Sequence, residues 1–321
     1  MEYRRLGNSG MKVSAISLGA WLTYGSKHVA DDAADKCIRK AIELGVNFID
    51  VADIYAYGEA EKTVGRVIKD YTRSDLVIST KAYWNMSENV NDRGLSRKHI
   101  FESVERSLKR FDMDYLDIFF CHRYDDETPT EETVRAISDL IQQGKILYWG
   151  TSMWSAAGIE EAVGIADRVI GYRPVTEQPI YNMLDRDQVE GEVQMVCEKQ
   201  GVGLVVWSPL AQGVLTGKYN DGVPSGSRAD QLEWVRKGVT EERIAKVREL
   251  SKLAAEMGTS MAALALAWAM KNPVVDSVIT GASRPEQVEE NMKALDVTIT
   301  DEIDARIEEI LDNKPTVNRH N

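Results

Sequence analysis

Four residues in this chain have side chains suited to proton transfer: Asp50, Tyr55, Lys81 and His122. Three of them stand where an apolar run ends. Asp50 closes N-F-I-D from Asn47, Lys81 closes V-I-S-T-K, and His122 closes I-F-F-C-H; Tyr55 lies in the polar stretch between Asp50 and Gly58. A free tyrosine, with a pKa of about 10, is a poor acid or base at neutral pH. A nearby ammonium favours the phenolate and is expected to lower that pKa. A carboxylate paired with the lysine keeps it charged and fixed. A histidine beside the phenol can hydrogen-bond a substrate oxygen or help relay the proton. Such a set suits reduction of a carbonyl, with tyrosine protonating the oxygen while a hydride reaches the carbon. No side chain is a hydride carrier, so the chemistry requires a bound one.

Taken singly, each residue has a plainer reading. A buried Asp–Lys pair can be a structural bridge, and a histidine at a strand end is commonly a satisfied structural group. Tyr57 competes with Tyr55 as the functional phenol, and either can simply pack. The four residue types in this order make the plain readings much less attractive.

The elements that must position these residues alternate along the chain. Tyr3–Leu6 and Met11–Val13 flank the turn G-N-S-G and predict a hairpin. Eight strands follow: Ile16–Gly19, Asn47–Val51, Leu76–Thr80, Tyr115–Cys121, Ile146–Trp149, Pro174–Glu177, Leu204–Trp207 and Val274–Thr280. Helical spacing fills most of the gaps, with Gly45, Gly144 and Gly201 as stops and Ser96 as an N-cap. Leu210 to Gly238 reads as a long irregular segment, and the tail beyond Asn313 as frayed. Strict β-α alternation implies a parallel sheet. Eight units in 321 residues without a linker predict one domain, a (β/α)8 TIM barrel with an N-terminal β-hairpin and a C-terminal helix. There is no GxGxxG after the first strand, so the usual Rossmann signature is missing. In such a barrel the C-terminal strand ends share one face, where active sites lie.

Composition narrows the function classes. Hydrophobic residues make up 43% and charged residues 28%, ordinary for a globular protein with a sizeable core. A net charge of −12 without a basic tract argues against nucleic acid as a partner. The three cysteines, Cys37, Cys121 and Cys197, form no CxxC pair and read as reduced, buried thiols; no metal site is expected. The start M-E-Y-R-R-L-G lacks the apolar stretch of a signal peptide, and no run reaches the ~18 apolar residues of a membrane span. A cytoplasmic protein with no direct membrane insertion is expected.

The motifs resemble those of the aldo-keto reductase family over nearly the whole chain, from Y-R-R-L-G-N-S-G-M-K-V-S to E-Q-V-E-E-N. F-I-D-V-A-D-I-Y matches the family's strand-two motif, S-T-K its lysine and F-F-C-H its histidine. The resemblance therefore implies catalytic roles for Asp50, Tyr55, Lys81 and His122. Val51 stands where the family often has threonine. R-G-L-S-R-K-H-I, T-P-T-E-E-T-V-R-A, Y-W-G-T-S and W-S-P-L-A-Q-G-V-L-T-G-K-Y resemble the branch of voltage-gated potassium channel β-subunits and their microbial relatives. That branch carries Asn where this chain has His122, which favours a working enzyme over a subunit that mainly senses cofactor. It also has a basic residue where this chain has Met153.

The resemblance implies NADP(H), extended across the barrel top. Trp21 and Asp50 would lie near the nicotinamide, Ser152 and Gln178 would hold its carboxamide, and Trp207 would stack on the ring. Ser208, Leu210, Gln212 and Lys218 would line the pyrophosphate, with Gly281 in the turn that follows the last strand. Arg228, Ser283 and Gln287 would meet the 2′-phosphate, and Glu290 and Asn291 the adenine. Lys218, Arg228 and Arg284 are cations suited to such an anion, and the helix from Pro285 offers it an N-terminus. Trp21, Tyr55, Trp84 and Met86 are expected to shape a pocket for a small carbonyl substrate. A homo-oligomer, tetramer or larger, is the other partner that the resemblance implies. The competing function is a cofactor-binding regulatory subunit of a channel-like partner, with weak reductase activity.

Overall fold

The computed structural model describes residues 1–21, 24–25 and 31–316. The tail expected to fray lies outside the described residues from position 317 onward. Two short antiparallel strands, β1 (Tyr3–Arg5) and β2 (Lys12–Ser14), form the predicted hairpin. Eight strands then follow: β3 (Ile16–Gly19), β4 (Phe48–Asp50), β5 (Val77–Ala82), β6 (Leu116–Cys121), β7 (Ile146–Ser152), β8 (Thr176–Gln178), β9 (Gly203–Val206) and β10 (Val275–Thr280). All pair in parallel, and β10 closes onto β3 to complete a barrel.

Five helices separate the first six barrel strands: α1 (Asp31–Glu43), α2 (Glu59–Ile68), α3 (Arg97–Phe111), α4 (Thr130–Gln142) and α5 (Ala156–Arg168). After β8 comes α6 (Gln194–Gln200). Between β9 and β10 lie α7 (Arg228–Gln231), α8 (Glu233–Lys237), α9 (Glu241–Glu256) and α10 (Met261–Lys271), and the chain ends with α11 (Pro285–Met292) and α12 (Asp301–Leu311). Local chemistry sets the helix starts. Ser96, Ser155, Thr240, Ser260 and Thr300 each accept a backbone N–H from the first turn of the helix they precede. Such a cap contributes about 1 kcal/mol. Gly201 ends α6 in the left-handed region at φ 70°, where a side chain would be strained.

Burial follows the two-residue period of the strands. Ile49, Ile78, Phe119, Leu204 and Val206 point outward into the large core between barrel and helices. Phe48, Val77, Ile118, Phe120, Val205 and Ile279 fill the barrel interior, with Leu6 and Val13 of the hairpin packed beneath them. The hairpin is tied to that end by Gly7 N donating to Asp276 (2.7 Å) and Arg4 donating to the carbonyls of Met270 and Val275. This interior layer explains the opposite end. Two residues beyond Phe48 stands Asp50, two beyond Ser79 stands Lys81, and two beyond Phe120 stands His122, so all three face into the mouth.

The expected boundaries shift in a few places. Lys81 lies within β5 instead of following it, because the β5–β6 ladder continues to Ala82 opposite Cys121. β7 runs on to Ser152, paired with Gln178. Trp207 falls just beyond β9, in a bridge to Ile180. The helix expected from Gln188 begins with a π-helical stretch, Asp187–Val193. The segment expected to be irregular holds a 3-10 stretch, Ala211–Thr216, as well as α7 and α8. All three cysteines are free and buried. Among the described residues no single helix is long and apolar enough to cross a membrane.

Candidate active site

The barrel mouth holds a buried polar network. Lys81 is fully buried, and its Nζ donates to Asp50 Oδ2 (2.6 Å), to the Val51 carbonyl (2.7 Å) and to the Tyr55 hydroxyl (3.3 Å). The other oxygen of Asp50 accepts Ser79 Oγ (2.7 Å) and Gln178 Nε2 (3.0 Å). Asp50 thus uses both oxygens, and its charge is balanced by the one cation it touches. Lys81 also lies 4.9 Å from the centre of the Tyr55 ring. The Tyr55 ring meets His122 edge-on at 5.9 Å, and His122 meets Trp84 at 6.2 Å.

A short 3-10 turn, Tyr55–Gly58, separates the two candidate phenols. Ala56 and Tyr57 take positive φ there (49° and 52°), which turns the backbone sharply. Tyr57 ends 72% exposed, whereas Tyr55 packs over Lys81. The structure therefore puts Tyr55, not Tyr57, in the network.

One electrostatic expectation reverses. The ammonium was expected to draw the Tyr55 pKa down, but burial pushes it well above 10, Asp50 adds to the rise, and Arg123 only partly opposes it. The reason is that Lys81 is not a free cation. Burial lowers its own pKa and Asp50 pulls it back up, so its charge is already shared with a carboxylate and does not outweigh the burial of the phenol. Tyr55 is consequently a fully protonated phenol at neutral pH, which is the form a proton donor needs. Burial, with Lys81 and Arg123 nearby, drives His122 well below its usual range. Its ring is neutral, and Nδ1 has no partner among the described residues.

From this network a cleft of about 880 Å³ runs across the mouth to α11. Its wall contains Trp21, Asp50, Ser152, Gln178, Trp207, Ser208, Leu210, Gln212, Lys218, Arg228, Gly281, Ser283, Gln287, Glu290 and Asn291, every residue singled out for the cofactor. Tyr55, His122 and Trp84 line its near end; Lys81 sits beneath the surface and acts on the cleft only through its neighbours. Met86, expected in the substrate wall, is not part of the lining. Its N–H instead closes a turn onto the Asp92 carbonyl (3.3 Å). Ser152 Oγ donates to the Gln178 carbonyl (2.9 Å), Gln212 Nε2 to Ser208 Oγ (2.7 Å), and both the N–H and Oγ of Ser283 to Gln287 Oε1. Glu290 pairs with Lys293 (2.5 Å).

Sequence reasoning missed other parts of the wall: Arg123, Thr216, Ser227 and Ser260. Trp234, also unforeseen, covers Trp21 at a ring distance of 5.6 Å, and Trp207 meets Trp21 edge-on at 6.1 Å. The loop after β9 is strained, with Ser208, Ala211 and Gln212 at φ 57°, 46° and 57°. Such outliers cost about 1–3 kcal/mol each and gather where ligands are clamped.

Glu177 lies beneath the cleft, pointing outward from β8. Its Oε1 accepts the Trp154 N–H (3.2 Å), and burial raises its pKa to about 8. Between the unfolded value and about 8 the folded state keeps this proton and the unfolded state does not. Stability therefore falls as pH rises through that window, by up to about 1.4 kcal/mol per pH unit. Glu177→Gln should remove this part of the decline; urea unfolding at intervals from pH 5 to 8 measures it, and an unchanged slope would show that Glu177 is ionised in the fold.

A closed eight-stranded parallel barrel with this mouth network, preceded by a hairpin and followed by α11 and α12, defines a class. The family model described as "Aldo/keto reductase family" matches residues 15–312, and the chain belongs to the aldo/keto reductase family. It is an oxidoreductase fold whose members generally bind NAD(P)H. Relatives align over nearly their whole length. A probable voltage-gated potassium channel subunit beta of Arabidopsis thaliana is 47% identical over 325 residues, covering 98% of each chain. One of the same description from Oryza sativa subsp. japonica is 46% identical over 324 residues, again 98% of each. A putative voltage-gated potassium channel subunit beta of Schizosaccharomyces pombe is 45% identical over 328 residues, covering 98% of this chain and 94% of that one.

The residues present fit such a cofactor. Among the described residues Arg228 has no carboxylate partner; its one hydrogen bond is to Gln212 Oε1 at 3.4 Å. Burial depresses its pKa with no acid nearby to offset the effect. The neighbouring Ser227 Oγ is buried, with no partner among the described residues. A half-buried guanidinium and an orphaned hydroxyl at the far end of the cleft suit an anion.

Proposed function

We propose that this chain is an NADPH-dependent reductase that converts small aldehydes or ketones to alcohols. The observation that carries the reading is the Tyr55 hydroxyl, protonated and 3.3 Å from Lys81 Nζ, at one end of a cleft whose other end holds Arg228. When bound, the nicotinamide supplies the hydride that reaches the carbonyl carbon. Tyr55 donates its proton to the carbonyl oxygen, with neutral His122 as the second hydrogen-bonding group on that oxygen. Lys81 stabilises the phenolate that forms, and Asp50 holds Lys81 in place. Ser79 and Gln178 fix the Asp50 carboxylate. Trp21, Trp84 and Trp207 form apolar walls that exclude water and shape the entrance.

The preference for NADPH over NADH rests on Arg228, with Ser227, Ser283 and Gln287 as its neighbours in the wall. A charge-assisted bond to a phosphate contributes about 1.5–3 kcal/mol. Arg228→Ala should therefore weaken NADPH about 10- to 100-fold and leave NADH unchanged, as read by fluorescence quenching. Equal weakening of both dinucleotides would remove Arg228 from phosphate recognition. The function itself is tested by steady-state oxidation of NADPH against a panel of aldehydes and ketones, with NADH in parallel; tight NADPH binding without turnover of any of them would contradict it.

A second reading has its own support, because the relatives are described as potassium channel β subunits. On that reading the barrel is an NADP(H)-binding regulatory subunit of a channel-like partner, assembled as a homo-oligomer of four or more chains, and its reductase activity is weak. His122, a functional imidazole in the mouth, favours the enzyme. Co-purification with a membrane protein together with very slow turnover would favour the subunit.

A further inference from the structure

We infer that Arg123 receives an anionic group of the substrate, so that the site acts on aldehydes or ketones carrying a carboxylate a few bonds from the carbonyl. The inference rests on the reading of the site as a carbonyl reductase and narrows its substrate class. Arg123 follows His122 directly and lines the near end of the cleft. One guanidinium nitrogen donates to the His122 carbonyl, and the guanidinium carbon lies 5.5 Å from the centre of the Trp84 ring. These contacts hold the group against the wall, and among the described residues most of its five N–H donors have no partner.

No carboxylate balances this cation among the described residues, although acids outnumber lysines and arginines 51 to 39 in the chain. Two of the acids that follow it, Asp125 and Glu127, are engaged elsewhere. Asp125 accepts the N–H groups of Leu95 (2.6 Å) and Glu127 (3.1 Å), and Glu127 reaches Arg93 (3.9 Å). Glu177 is the carboxyl whose field acts most on Arg123, and it retains its proton to about pH 8. Tyr55 and Tyr83, the other groups whose charge would favour the guanidinium, are neutral phenols at this pH, so its burial is left largely uncompensated. A planar fork held on an aromatic face matches a carboxylate in two parallel hydrogen bonds. It stands beside the imidazole that meets the carbonyl oxygen, so one short substrate can span both.

The test compares para-carboxybenzaldehyde with its neutral methyl ester, using the full chain and NADPH. Wild type should prefer the acid. Arg123→Met should lower kcat/KM for the acid about 10- to 100-fold more than for the ester, the range expected for one lost charged hydrogen bond. Arg123→Lys should recover part of the preference. If Arg123 only seats Trp84, acid and ester fall together, and that result overturns the inference, as does a wild type that prefers the ester. Calorimetric titration of para-(hydroxymethyl)benzoate into the NADP-loaded protein reads anion binding without turnover. Its loss in Arg123→Met supports the inference even if neither aldehyde is reduced, in which case the reductase reading fails alone; equal binding in both proteins overturns it.

Discussion

Tyr55→Phe should lower kcat for every aldehyde by about 10²–10⁴-fold, the range supplied by a positioned general acid. Affinity for NADPH and stability should stay the same. The substitution removes one oxygen whose contact with Lys81 is long, at 3.3 Å, and leaves the ring in place over the ammonium. The hydroxyl lies at the substrate end of the cleft, far from the Arg228 end. The measurement pairs steady-state turnover with a fluorescence titration of NADPH on the same preparation. Turnover equal to wild type would show that the proton comes from another group, with His122 the first to examine.

Lys81→Met has a different signature, because it damages fold and chemistry together. Lys81 is fully buried and its partner Asp50 is 3% exposed, so removing the ammonium strands a carboxylate in the barrel mouth. Breaking a buried pair from one side costs about 3–5 kcal/mol. Ser79 and Gln178 still donate to Asp50, which argues for the lower half of that range. Turnover should also fall steeply, since the phenolate left by proton donation loses its cation. Adding Asp50→Asn to Lys81→Met should recover most of the lost stability and none of the activity. Urea unfolding at pH 7 across the two single variants and the double gives the coupling. A double variant no more stable than Lys81→Met would mean that the pair is held apart by solvent and is not the buried bridge described.

The barrel could be read from the sequence because its signal is repeated eight times. Short apolar runs such as Leu76–Thr80 and Tyr115–Cys121 end at polar residues, Lys81 and His122, and helical spacing fills the gaps between the runs. Strand parity then explains why Asp50, Lys81 and His122 share the mouth: each is an even number of residues beyond an interior-filling side chain. The choice of Tyr55 over Tyr57 was beyond parity, because it depends on the positive φ of Ala56 and Tyr57 within one short turn. The residues expected at a cofactor could be named only through family resemblance, and the structure places them in the wall of one cleft. Its residues come from loops after several strands, and spacing along the chain carries no sign that Ser152 and Asn291 border one cleft.

What escaped reading is chiefly electrostatic. Arg123 looks like a solvated loop cation, and nothing in H-R-Y-D-D shows that Asp125 is engaged elsewhere. Glu177 looks like an exposed strand residue, yet it points into the helix layer and keeps its proton. The Tyr55 shift had the wrong expected sign because pairing one cation with one phenol ignores, first, the cost of burying a phenolate and, second, the Asp50 carboxylate beside that cation. Trp234 was unreadable as a cover for Trp21 because it sits on a short helix inside a segment with no clear periodicity.

The most direct measurement is a single turnover with NADPH carrying deuterium at the nicotinamide C4, mixed with a protein excess and an aldehyde. Mass spectrometry of the product should find one deuterium on the carbinol carbon, formed about 10²–10⁴-fold more slowly in Tyr55→Phe. NADPH that stays bound and unoxidised, with no labelled alcohol from any aldehyde, would contradict the reductase and move the barrel to the regulatory reading.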